Sequence, residues 1–492
     1  MRKSLAAIIV GVVVVAAVLA AVPAVERHAA LEIKREIERR GAVKVDAVEV
    51  GLFGRRLKLS NLRTVAAAEI SIGRLEASGL AWPLAELLRG RTPLAGFRWG
   101  DPLSADRIEL ENVQVVDPVG GSRLGLDALL VDRLDLSRYD GEAEGPDRAR
   151  MLAARVLAAL SVGRLEQRST VFTFSQDNRR DDIASIVVER YEHGRIASMT
   201  LDGLTVMARN GQPGLVSLAD IKVAGLDIGR VLAALSSEVW FPGAPVGRVH
   251  LDNFIITGFG GELLKRYGIS LAGIDFAAVQ EGDKLLRSRA RVEGFVLAPP
   301  LRGLEGLALR LALQSMGLKE IKADFDCSGS EDRAKGEVVV QRCALVGPGL
   351  GEIDLSVRMV GADADYWQAL DDGDMVGVFS SGIGLAAARL VLADKSLLER
   401  GLRAMATTTG QPLTAVRANL AREVRRYQPT GVLISQAMTQ LLDTVARFVE
   451  QGGMLTIDAK PEQPVGFDRL EYLTSPGADL VSVLGLTATL SK

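Results

Sequence analysis

At 492 residues, with 48% hydrophobic side chains, the chain is long enough for about two to four structural units and has ample material for their cores. Its formal net charge is −2, so no strong field draws it to nucleic acid, and two cysteines are too few for a cystine-framed scaffold.

The chain opens on Leu5 to Val25, LAAIIVGVVVVAAVLAAVPAV, which holds no charge. At about 1.5 Å per helical residue it reaches about 30 Å, the thickness of a bilayer's hydrocarbon core, and it reads as a membrane anchor. Arg2 and Lys3 ahead of it and Val22-Pro23-Ala24 at its end also fit a secretory signal, whose apolar core usually runs about 7–15 residues and so is shorter than this one. Both readings export the body. Arg27, Lys34, Arg35, Arg39 and Arg40 count against that orientation, because basic residues favour the cytoplasmic side. The likeness of a segment so close to the N-terminus to an export signal decides for export.

Glu26 to Arg40 continues as a charged helix with Ala30, Ile33 and Ile37 at helical spacing and Gly41 as its stop, a spacer between anchor and body. From Val43 the period changes to two. Val43 and Val45, Leu57 and Leu59, Ile70 and Ile72, and Ile108 and Leu110 alternate with polar residues, the pattern of strands with one wetted face. A short phrase recurs, with two apolar residues spaced by two, then Asn or Gly, then an apolar residue. It begins at Leu57, Leu75, Ile108, Met199, Ile221, Val249, Ile269 and Ala290, and its Asn or Gly is Asn61, Gly79, Asn112, Gly203, Gly225, Asn253, Gly273 and Gly294 in turn. Asn and Gly best tolerate left-handed backbone angles, so each phrase predicts a strand with a bulge that curls the sheet.

The run VKVDAVEVGLFGRRLKLSNLRTV with ISIGRLEASGL behind it, following an anchor and a charged helix, resembles the AsmA-like proteins of Gram-negative envelopes. The resemblance covers about the first hundred residues well and the strand phrases to about residue 300 loosely. It implies a single-pass anchor in the inner (cytoplasmic) membrane and a body in the periplasm. It further implies a β-sheet groove with an apolar inner face, associated with lipid traffic and outer-membrane upkeep.

Pro83 to Arg91 and Asp147 to Leu160 read as helices between strands, and Val171 to Phe174 and Ile183 to Val188 as short strands. Leu307 to Leu313, Ile321 to Cys327, Val338 to Cys343 and Ile353 to Val357 read as an antiparallel meander. A tight hairpin centred on the polar turn Gly329 to Gly336 leaves Cys327 and Cys343 out of register, which predicts free buried thiols. Character shifts near residue 394. Ser396 and Glu399 form a capping box, Gln411-Pro412 starts a second helix, and Thr430 to Glu450 is a third with an apolar face. Met454 to Ala459 and Leu484 to Leu490 close the chain.

Chemistry is sparse. His28, His193 and His250 have no metal-ligand or triad-like neighbours, and there is no P-loop, H-E-x-x-H or G-x-S-x-G. Gly347-Pro-Gly349-Leu-Gly351 leads into a strand and reads as a hairpin turn. Asp363, Asp365, Asp371, Asp372 and Asp374 read as a solvated loop, and Arg422 and Arg426 share a helix face that is either solvated or turned to acidic headgroups.

The expectation is a mainly β protein with added α (α+β). It has an N-terminal transmembrane helix (1–25), a charged juxtamembrane helix (26–41) and a long curled antiparallel sheet of bulged repeat strands (42–393). A helical C-terminal segment (394–453) and terminal strands with a short helix (454–492) complete it. The function expected is non-enzymatic, holding or passing acyl chains along the sheet. Val249, Leu251, Phe254, Phe276 and Phe295 are the candidate lipid-facing residues. Membrane lipids and other envelope proteins are the expected partners, with no cofactor, no metal and no nucleic acid. The rival is an envelope scaffold whose β core is closed on itself.

Overall fold

A computed structural model describes residues 22–491 apart from 40, 65–68, 82, 84–85, 87–88, 90, 92–97, 99, 118–119, 145–146, 176–178, 210–213, 239, 241–246, 283, 301–305, 429–433 and 467–478. The expected anchor therefore lies outside the described residues up to Ala21, as does most of the expected helix Pro83 to Arg91. No helix among the described residues is long and apolar enough to cross a membrane. The protein is mainly β, and the chain divides into two compact units, residues 1–215 with 224–242, and residues 216–223 with 243–492.

In the first unit β1 (Val43–Lys44), β2 (Ala47–Gly51), β3 (Arg56–Thr64), β4 (Glu69–Ser78), β5 (Leu103–Val116), β6 (Arg123–Leu136), β7 (Leu160–Phe174), β8 (Arg179–Glu192) and β9 (Arg195–Arg209) follow one another. Each of β3 to β8 pairs antiparallel with the next, and β1 and β2 both pair with β3. Strands β7 and β8 outrun the short segments expected from sequence. Charged runs such as Arg164-Leu-Glu-Gln-Arg168 stay in the ladder because their charges sit on the wetted face, where Arg164 reaches Glu189 at 2.7 Å.

The expected bulges take a different form here. At all but one place the pairing passes over one opposed pair at a time while the register on either side is kept, so no extra residue is inserted; the exception is a true bulge between β8 and β9 at Arg180 and Asp182, where Met207 has φ 56°. The interruptions align from strand to strand as Asn61, Gly73, Asn112, Asp127, Ser169, Ala184 and Gly203. A second line, six residues away along each strand, runs through Gly79, Asp106, Arg133, Gly163, Arg190 and Ala197. Every other member is left-handed, with φ of 51° at Asn61, 54° at Asn112, 51° at Ser169 and 64° at Gly203 in the first line, and 63°, 53° and 54° at Gly79, Arg133 and Arg190 in the second.

A left-handed residue in a strand leans its Cβ direction over a residue opposite, and each one in these two lines either is glycine or has Gly or Ala opposite it on one side. A Cβ on Gly203 would meet that of Ala184 at 2.7 Å, and one on Gly73 would meet that of Asn112 at 3.1 Å. Each bend also reverses which parity faces inward. Val131 clusters with Leu134, Val162 with Leu165, and Tyr191 with Val188, at spacing three and not two. The apolar residues Leu59, Leu62, Leu75, Leu110, Leu129, Ile186 and Leu201 thereby stay on one face. Asn253 and Gly273 depart from the phrase, since they open strands without a positive φ.

The helix over residues 22–38 is packed onto this sheet, which corrects its reading as a spacer. Ala29 and Ile33 are fully buried among Val45, Val50, Leu57 and Leu59. The Leu52 N–H donates to Glu26 Oε1 at 3.0 Å near one end, while Val45 N–H donates to Glu38 Oε1 at 3.3 Å and Lys34 Nζ to the Asp46 carbonyl at 2.8 Å near the other. The helix thus runs alongside β2 with its N-terminal end at the β2–β3 hairpin tip. Burying Ile33 alone contributes about 1.5–3 kcal/mol.

In the second unit the strands are β11 (Asn253–Thr257), β12 (Ile269–Ser270), β13 (Gly273–Glu281), β14 (Leu285–Leu297), β15 (Ile321–Asp332), β16 (Glu337–Gly347), β17 (Gly351–Val360), β18 (Gly384–Asp394), β19 (Met454–Ala459), β20 (Val465–Gly466) and β21 (Leu486–Ser491). Between the units in sequence, β10 (Val216–Asp227) contributes residues to each. Strands β13 to β19 pair in sequence order, with β21 beside β19, and here register shifts mark true bulges, one of them between Val292 and Phe295 where Gly294 has φ 64°.

Cys327 and Cys343 are cross-strand partners joined by a disulfide, which overturns the expectation of free thiols. The polar residues Ser328 to Asp332 are strand and not turn, and a register shift after Ser328 brings the two cysteines opposite each other. The C-terminal helices Leu397–Thr409, Leu413–Arg425 and Gln436–Gln451 follow β18, and Ala421, Ala446 and Val449 form a core between the second and third of them.

Candidate apolar binding site

Register places the apolar side chains of the second unit on one sheet face. Phe254, Phe276, Ala290, Cys327, Cys343, Leu355, Leu390 and Ile457 follow one another as direct partners across the strands. Ile274, Val292, Phe325, Leu345, Ile353, Leu392 and Leu455 form the next row. The opposite face carries charge, with Arg291 reaching Asp326 at 3.1 Å, Arg342 reaching Asp354 at 2.5 Å and Arg389 reaching Asp458 at 2.7 Å. The Arg289 guanidinium, with Arg291, holds the Asp326 carboxyl below its ordinary value, and Asp354 and then Glu352 hold Arg342 above its own. Arg74, Arg168 and Arg425 likewise hold Glu76, Glu166 and Glu450 down, Lys335 does so for Asp332 and Ser482 for Asp479, so each of these carboxyls favours its ionised form.

On the apolar face lies a pocket of about 410 Å³. Ile321 and Ala323 of β15, Leu345 of β16, Ile353 of β17 and Leu392 of β18 form its floor, and Leu397, Leu398 and Phe448 from the C-terminal helices stand over it. Its walls are almost wholly apolar. Leu345 and Ile353 are each 44% exposed and Leu355 is 39% exposed, so the apolar face is not sealed beside the pocket. Lys322 and Glu352 mark the rim, each engaged elsewhere, Lys322 with Glu320 at 2.8 Å and Glu352 with Arg342 at 2.6 Å.

The helix that overhangs the pocket is seated by a turn. Residues Gly347 to Gly351 reverse the chain between β16 and β17, with Gly349 at φ 74°, where a side chain would be strained. The Leu350 carbonyl then accepts from the N–H groups of Lys395, Ser396 and Leu397, all at 3.0 Å. A carbonyl oxygen thus occupies the positive end of the helix. The expected capping box is absent. Ser396 Oγ donates instead to the Gly349 carbonyl at 2.7 Å, Glu399 pairs with Arg403 and Arg417, and Asp394 Oδ1 accepts from the Leu398 N–H at 2.8 Å.

Of the candidate lipid-facing residues, Phe254 and Phe276 are direct cross-strand partners on the apolar face. Phe295 pairs with Ala323, a pocket residue, because the Gly294 bulge keeps it on that face. Val249 and Leu251 precede β11 outside any strand. The pocket residues of β16 to β18 and the helices were missed. Their alternation was visible, but no sequence signal says that helices appended after residue 394 fold back over those strands.

Of the acidic cluster, Asp363 and Asp374 cap helices, Asp363 accepting from Tyr366 N–H at 2.9 Å and Asp374 from Gly377 N–H at 3.0 Å, while Asp365, Asp371 and Asp372 lie in the helix Ala364–Asp372, with Asp371 paired to Arg333 at 2.6 Å. Among the described residues no group of three or more His, Cys, Asp or Glu is placed to hold a metal ion.

A family model described only as an uncharacterized protein matches residues 344–491. That stretch contributes Leu345, Ile353, Leu392, Leu397, Leu398 and Phe448 to the pocket and leaves out Ile321 and Ala323. No curated protein matches the chain.

Proposed function

We propose that this is a membrane-anchored envelope protein that holds or passes acyl chains on the apolar face of its second unit, without catalysing a reaction. The observation that carries this is the apolar pocket of about 410 Å³ opening beside the exposed Leu345, Ile353 and Leu355. Water against such walls is unfavourable, and each acyl methylene that replaces it contributes about 0.8 kcal/mol. The uncharged Leu5–Val25 and the resemblance to AsmA-like proteins support an inner-membrane anchor with a periplasmic body. The Cys327–Cys343 disulfide supports a body outside the reducing cytosol.

The test is a photo-crosslinking amino acid at Ile353, in the pocket, and at its neighbour Asp354, on the charged face, in the membrane-embedded full chain. Phospholipid adducts at Ile353 alone are expected. Equal adducts at both positions, or none at either, would favour the rival envelope scaffold with a closed core. The first unit lends that rival some weight, since Gln167 and Thr170 on its apolar face are 7% and 8% exposed and hydrogen-bonded to each other.

A further inference from the structure

We infer that the β2–β3 hairpin tip, through Phe53 and Arg55, is a second membrane contact that seats the first unit on an anionic bilayer surface. The inference rests on the reading of Leu5–Val25 as an anchor. On that reading Glu26 is the first charged residue beyond the hydrocarbon, and residues 22–25 already belong to the helix that packs on the sheet. Glu26 Oε1 accepts the Leu52 N–H at 3.0 Å, and Leu52 packs into the cluster around Ala29 and Ile33. The hairpin tip is thereby fixed at the level where the helix leaves the membrane.

The tip suits that level. Phe53 is 77% exposed, an apolar ring that the described residues leave mostly in solvent. Arg55 beside it, at φ 43°, and Arg27 on the helix are exposed and have no ion-pair partner among the described residues, whereas Arg56 is committed to Glu76 at 2.5 Å. An aromatic ring at the acyl boundary flanked by guanidinium groups at the phosphate level is the chemistry of an interfacial contact. The other end of β3, about 26 Å away along the strand, lies well beyond the headgroups.

The experiment places a photo-crosslinking amino acid at Phe53, Arg63 or Val14 of the full chain in vesicles of phosphatidylcholine and phosphatidylglycerol. Lipid adducts at 53 and at 14 but not at 63 are expected. Arg55→Gln should lower the yield at 53 about fivefold in these vesicles and leave it unchanged in phosphatidylcholine alone. Adducts at 14 with none at 53, or equal yields at 53 and 63, would overturn the hairpin contact and leave the anchor standing. No adduct at 14, with the protein left behind when the vesicles are floated, would overturn the anchor reading itself.

Discussion

Asp394 is worth more to the C-terminal helix than Ser396, although both stand at its start. The Asp394 carboxylate accepts the Leu398 N–H, one of the donors a helix terminus leaves unpaired, while Ser396 Oγ meets none of those donors, tying the turn at Gly349 and accepting from Arg400 Nε at 3.0 Å. Asp394→Ala should therefore cost about 1 kcal/mol in urea unfolding, and Ser396→Ala clearly less. A Ser396 variant that loses as much as the Asp394 variant would restore the capping box. Gly203 makes a different kind of contribution. Gly203→Ala meets both a φ of 64° and the Ala184 Cβ at 2.7 Å, so a loss of about 1–3 kcal/mol is expected. Adding Ala184→Gly relieves the collision but not the backbone strain, so the pair should recover part of the loss. Full recovery would mean that the left-handed angle carries no strain.

Strands and helices were legible to different depths, and the reason lies in what each element answers to. The alternation of Leu57 and Leu59 or Ile108 and Leu110 is local and found strands there, although the same alternation over Leu307 to Leu313 belongs to the helix Leu307–Ser315 and not to the expected meander. Asn61, Gly79 and Asn112 announced left-handed residues. That these residues align across neighbouring strands, and that Arg133, Ser169 and Arg190 join them, depends on register, which no single strand encodes. The cysteine pairing failed for the same reason, because one register shift after Ser328 decides it. Since the disulfide closes a separation of 16 residues within an existing ladder, it should add at most about 3 kcal/mol to the second unit. Reductant should lower the urea midpoint of the parent and leave a Cys327→Ala/Cys343→Ala variant where it was. A parent indifferent to reductant would count against the bond.

Across the whole molecule charge and apolar surface are sorted by face, and the sorting makes stability depend on pH in one direction. Arg74 holds Glu76 below its ordinary value of 4.5, with Arg56 adding to it, and Arg168 and Arg164 do the same for Glu166 in the first unit. In the second unit Arg289 holds Asp326 below its ordinary 3.8 and Arg425 holds Glu450 below 4.5. A carboxyl depressed in the folded state binds fewer protons there than in the unfolded chain, so stability rises with pH across that interval. The contribution is complete above 4.5 and is lost as pH falls through the depressed folded values. These pairs are largely solvated, so each is worth little and the decline should be gradual. Because each unit carries such pairs, every unfolding transition seen by calorimetry should hold steady from neutral pH to about 5 and move down below 4. High salt screens the arginines and should flatten that decline, while the apolar faces do not titrate at all. A transition that moves up on acidification would show that a carboxyl raised by burial, and not these arginine pairs, governs the fold.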